Sequence, residues 1–196
     1  MKTGALGKSL QRILGAIALF AFAAQMNLSF AAGATANAKP AFAFKSIDYF
    51  ARWAEGTQHE FTPKGQEDLD KWSDMVTANV YKDARDGDGL AKMANATLEN
   101  YKSHKAVIVK TDSIPRSASK PAEHLVVAVF GQPTYVEVAF ARFVIVDGIG
   151  CSFTYSHRIY GAKAGDAASA WLSANGPAME RELMNWQPPS PKSLGN

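Results

Sequence analysis

Ser156 and His157 stand side by side, Cys151 lies six residues before His157, and two glutamate–arginine combinations, Glu123 with Arg142 and Glu137 with Arg158, occupy the same stretch. These are the residue types of a nucleophile, a general base and charge stabilisers. Their spacing excludes most of that chemistry. A strand sends successive side chains to opposite faces, so Ser156 and His157 cannot hydrogen-bond as nucleophile and base. Cys151 and His157 share a face, but six residues of strand hold them roughly 20 Å apart. His59, His104, His124 and His157 have neither H-x-x-x-H nor H-E-x-x-H spacing, and there is no G-x-S-x-G and no phosphate-cradling glycine loop. No metal and no cofactor is expected.

The elements that position these residues begin with a hairpin. Asp147-Gly148 is a two-residue turn signal, because both central positions require positive φ. The turn sets Val146 against Ile149 and Glu137 directly opposite Arg158. One face then carries Val138, Phe140, Cys151, Phe153, Tyr155 and His157, and is the expected core face. The other carries Glu137, Ala139, Ala141, Ser156 and Arg158, polar or partly covered. If Phe130 pairs with Tyr135 across the 131–134 loop, Glu123 faces Arg142 and an ion pair closes the apolar face. Two sites are therefore in play. A binding surface is expected at Glu137, Ser156, Arg158 and Tyr160, where small Ala139 and Ala141 leave room. The alternative is a catalytic site assembled from Glu123, Arg142, Tyr155 and His157. The missing motifs favour binding.

Further elements follow from pattern. Residues 49–55 and 58–61 read as short strands around Gly56. Thr62-Pro63 reads as a helix start with Thr62 as N-cap, and 75–81 as a strand. Asp83, Asp86 and Asp88 precede a helix with an apolar stripe at Leu90, Met93, Ala94, Thr97, Leu98 and Tyr101. Carboxylates there cap the helix better than they fit a calcium loop, whose spacing they miss. A strand at 106–110, a polar loop at 113–121, strand blocks at 123–130, 134–146 and 149–160, and a helix capped by Asp166 complete the pattern. Asn175-Gly176-Pro177 is expected to interrupt that last helix. The fold class is α+β: mainly an antiparallel meander sheet packed by helices, α/β/α sandwich-like.

Lys2, Lys8 and Arg12 precede an apolar run at 13–24 and small-residue exits at Ala31, Ala32 and Ala38. That is the layout of a secretory signal peptide, too short to anchor a transmembrane span. Of 196 residues, 21 are Lys or Arg and 18 Asp or Glu. Removing Lys2, Lys8 and Arg12 leaves the two signs equal, so the basic surface that nucleic acid requires is lacking. The expected product is exported, periplasmic or extracellular, with an unidentified protein or small-molecule partner. Cys151, the single cysteine, is expected as a buried thiol. The chain divides into a signal peptide and exit segment (1–38), a flexible lead-in (39–47), one globular domain (48–186) and a disordered tail (187–196).

The helix at 90–101, the strand blocks at 123–146 and 149–160, and the terminal helix around Trp171 and Trp186 resemble the PsbP-like and DcrB-like group of small α/β/α sandwiches. The resemblance lies in element order over most of the mature chain. It implies an exported or lumenal accessory or binding protein, and it carries over no functional residue.

Overall fold

The computed structural model describes residues 39–118 and 120–194; the expected signal peptide lies outside them. Eight strands form one open sheet: β1 Phe42–Phe44, β2 Ile47–Glu55, β3 Gln58–Pro63, β4 Asp74–Tyr81, β5 Val107–Ile114, β6 Glu123–Gly131, β7 Tyr135–Val146 and β8 Ile149–Tyr160. Their order is β1-β2-β3-β4-β8-β7-β6-β5, and every neighbouring pair is antiparallel. Two meanders are thus joined side by side through β4 and β8. Helix α1 (Gly87–Ser103) links them, and α2 (Ala164–Asn185) follows β8.

The period-two pattern decides which face each helix covers. Leu125, Val127, Val138, Phe140, Phe153 and Tyr155 pack with Ala168, Met179 and Leu183 of α2. The opposite face packs Val126, Ala128, Ala141 and Phe143 under Leu90, Ala94 and Tyr101 of α1. The α+β class is as expected, and both faces are covered. The 147–148 turn also behaves as its residues require, with φ of 51° and 74° and Glu137 opposite Arg158.

Several expectations fail for identifiable reasons. The 62–72 helix does not form. Thr62 and Pro63 end β3, opposite Phe50 and Tyr49, and the Thr62 hydroxyl accepts from Arg52 Nε at 2.8 Å rather than capping a helix. Tertiary pairing overrides the local signal. Residues 39–47, expected to be flexible, contribute β1 and the start of β2, and Phe44 is fully buried. The tail expected as disordered from residue 187 runs to a 3-10 turn at Pro191–Ser193. Leu194 buries itself there, and Ser190 Oγ donates to Asp147 Oδ2 at 2.6 Å.

Other differences lie within the helices and β6. Helix α1 starts as expected, with Asp86 Oδ1 accepting from Gly89 N at 2.8 Å. Helix α2 instead begins after Lys163 without a side-chain cap, leaving Asp166 in its first turn. It also passes through Gly176-Pro177 unbroken. At Gly176 an added Cβ would stand 3.1 Å from Leu172 Cδ1 of the same helix and 4.0 Å, an ordinary contact distance, from Phe140 Cζ of the sheet. In β6, Phe130 pairs with Glu137 rather than Tyr135. The two-residue shift keeps every side chain on its expected face.

Candidate functional site

Of the four residues of the alternative site, Glu123 and Arg142 form one cluster and Tyr155 and His157 another. Leu125, not Glu123, lies directly opposite Arg142, yet the long side chains still meet. Arg142 Nη2 lies 2.7 Å from Glu123 Oε2, and Nε donates to the same oxygen at 2.8 Å. Nη1 donates to the backbone oxygens of Leu183 and Trp186, at 2.8 and 2.6 Å. The last carbonyls of a helix lack intrahelical partners and attract positive charge. Arg142 therefore ties the end of α2 to the sheet, a structural use that engages all three of its nitrogens.

Tyr155 and His157 converge on a residue the sequence did not single out. Asp74 Oδ1 accepts from the Tyr155 hydroxyl at 2.6 Å and stands 3.0 Å from His157 Nδ1. Gln66 Nε2 donates to Asp74 Oδ2 at 3.3 Å. Burial opposes ionisation of Asp74, but the hydrogen bonds from His157, Tyr155 and Gln66 outweigh it and hold the carboxyl below its ordinary value. Burial and the Asp74 charge push the Tyr155 hydroxyl far up. The His157 ring is also stacked on Trp171, with centroids 4.3 Å apart and planes 15° from parallel. The register Asp74–His157 across β4 and β8 is the signal that would have found this cluster; it requires knowing that two distant strands pair.

The expected binding face is largely closed. Glu137 and Ser156 are buried. Arg158 Nε donates to Glu137 Oε2 at 2.9 Å, and its guanidinium lies between the rings of Trp72 and Tyr135, at 3.9 and 4.3 Å. The Tyr160 hydroxyl donates to Trp72 O at 2.8 Å, leaving the ring at the rim. Among the described residues, Glu137 Oε1 and Ser156 Oγ have no hydrogen-bond partner. The room expected above Ala141 is filled by α1. Beside this cluster, burial raises the Glu60 carboxyl above its ordinary value, against a hydrogen bond from Gln58 and the charge of Arg158, with the Glu137 charge adding to the rise. Cys151 is buried as expected. Burial and the charge of Asp147 push its thiol up to about 12, so it is no nucleophile at neutral pH.

Open surface lies instead at the β5 margin. Helix α2 packs chiefly on β7 and β8 and α1 chiefly on β6 and β7, leaving Val107, Val109 and Ile114 of β5 exposed by 66%, 47% and 49%. On the α2 side a groove of about 430 Å³ runs between β5 and the helix, lined by Val109, Val127, Phe140, Leu172 and Pro177. A second hollow of about 190 Å³ is lined by Ile114, Leu125 and Met184. Glu180 lines both, and Lys110 Nζ reaches its Oε1 at 2.6 Å. On the α1 side a hollow of about 320 Å³ is lined by Ala94, Leu98, Thr111 and His124. Sequence reasoning ended this strand near Lys110 and read 113–121 as a loop. Apolar Val107, Val109 and Ile114, interleaved with Lys110 and Asp112, were the available signal.

Among the described residues no group of three or more His, Cys, Asp or Glu could hold a metal ion, and no helix is long and apolar enough to cross a membrane.

No family model and no curated protein matches the sequence. Solved structures do match. The Ran-binding protein Mog1p of Saccharomyces cerevisiae aligns with a TM-score of 0.46 and 10% identity over 69% of this chain and 81% of its own. A Mog1 point mutant gives 0.44 and 12% over the same shares. PA94, a protein of unknown function from Pseudomonas aeruginosa, gives 0.41 and 14% over 79% of this chain and 88% of its own. The expected resemblance to PsbP-like and DcrB-like proteins is corrected by these matches, and the opening helix of the element order it assumed is replaced by the end of β3.

Proposed function

We propose that this chain is an exported, non-catalytic binding protein that holds another polypeptide along β5 and the groove beside α2. One observation carries the reading: an eight-residue edge strand presents exposed apolar side chains beside hollows on both faces. An edge strand offers unpaired backbone N–H and C=O groups to an incoming strand, and the groove offers pockets for its side chains. The charged groups of the two sequence-expected sites are engaged with one another, with aromatic rings or with helix carbonyls, and so supply no open reactive set. Export rests on the basic and apolar pattern of residues 1–38.

A photo-crosslinking side chain at Val109, in protein expressed with its full N-terminus, tests this. One discrete polypeptide adduct at Val109, absent from the same probe at exposed Lys92 of α1, is the expected result. Identical adducts at both positions, or none at Val109, contradict it. N-terminal sequencing of the exported protein, expected to begin after Ala31, Ala32 or Ala38, tests the location separately.

A further inference from the structure

Resting on the reading of β5 as a binding edge, we propose that its partner is a second copy of this chain, paired antiparallel through β5 about a two-fold axis at Thr111. In a symmetric antiparallel pair, facing residues belong to the same face of the sheet, so the axis passes through a residue and each choice of axis fixes every pair. An axis at Lys110 sets Lys110 against itself, and an axis at Asp112 sets two carboxylates together. Like charges directly opposite are destabilising. An axis at Thr111 sets Lys110 of each copy against Asp112 of the other, twice. The pattern Lys110-Thr111-Asp112 thus selects one register of the three.

The surroundings suit that register. Lys110 and Asp112 lie on the α2 side, opposite Val127 and Leu125 of β6. Lys110 Nζ is 3.3 Å from Asp112 Oδ2 within one chain, with their side chains 43% and 55% exposed, so both remain available to a partner. Ile114 lies on the α2 side and Ile108, across the register shift, on the α1 side, so the two do not face each other and the pairing rests on residues 110–112. Val109 is the unpaired residue where the β5–β6 register shifts between Ile108 and Lys110. The bulge bends the strand there, so the contact centres on residues 110–112. Pairing would also join the two grooves beside α2 across a continuous sheet.

Lys110→Asp and Asp112→Lys, each made in the full chain, carry the test. By sedimentation equilibrium, wild type is expected to form a reversible dimer. Each single variant is expected to weaken it about tenfold or more, the effect of like-charge contacts. An equimolar mixture of the two variants is expected to recover association, because each supplies the charge the other lacks. Breaking the Lys110–Glu180 pair alone predicts no such recovery. Thr111→Cys is expected to give a disulfide-linked dimer faster than Lys92→Cys, since residues facing each other across strands lie within disulfide reach.

A wild-type monomer at every concentration, failure of the mixture to recover, or equal crosslinking at positions 111 and 92 overturns the proposal. A monomer whose Val109 probe captures a different polypeptide overturns it while leaving the binding edge intact.

Discussion

The two edges of the sheet are built on opposite plans. β1 is three residues long, and its aromatic rings are covered. Trp186 lies 5.2 Å from both Phe42 and Phe44, and its indole Nε1 donates to Ala43 O at 2.9 Å. β5 is eight residues long with apolar side chains in solvent. Long, exposed apolar edges invite pairing, and folds commonly shorten or cover them. This fold covers one edge with the far end of α2 and leaves the other bare. The apolar β5 margin is thus a local feature of the molecule rather than a general looseness of its sheet.

The largest expected effect breaks the closed edge. Arg142 holds the two carbonyls that place Trp186, so Arg142→Ala strands Glu123 and both oxygens. Loss of one partner from a buried ion pair predicts about 3–5 kcal/mol of destabilisation, read by urea denaturation. Trp186→Ala removes the indole itself, and an effect of about 3 kcal/mol is expected by the same method. Pro177→Ala sharpens the comparison in the other direction. It restores a helix N–H in α2 and is expected to raise stability by about 2–3 kcal/mol without touching β1.

The carboxylates contribute smaller, pH-dependent effects of opposite sign. The folded pKa of Asp74 lies below its ordinary value, so its contribution is present at neutral pH and is lost as pH falls through that folded pKa. The Glu60 pKa is raised. Its contribution is full below the ordinary carboxyl value and is lost as pH rises through the folded pKa. Glu60→Gln is therefore expected to flatten the decline above that range and Asp74→Asn the decline in acid, both read from melting temperature against pH. At the open edge, Val109→Glu is expected to change stability by less than about 0.5 kcal/mol, because the side chain is exposed.

Much of this architecture was legible from local chemistry. Asp147-Gly148 fixed the β7–β8 register, and alternation sorted Phe140, Tyr155 and Glu137 onto their faces. Asp86 capped α1 as its type and position require. What failed depended on partners distant in sequence. Thr62-Pro63 has a helix-start pattern, but β2 supplies the pairing and Arg52 the hydroxyl's donor. Gly176-Pro177 has a helix-break pattern, yet α2 runs through it in the presence of the sheet beneath. The Asp74 cluster needs β4 beside β8, which no local pattern encodes. The β5 edge was hidden for a related reason: exposure of Val109 depends on where α1 and α2 end up, not on its neighbours in the chain.

The proposed association uses β5 rather than the Arg158–Tyr160 rim. The direct test is an affinity titration of the partner captured at Val109, a second copy or another polypeptide, against wild type, Val109→Glu and Arg158→Ala. A loss of about tenfold or more is expected for Val109→Glu and less than about twofold for Arg158→Ala, with both variants folded. Full affinity in Val109→Glu together with a loss in Arg158→Ala would contradict it.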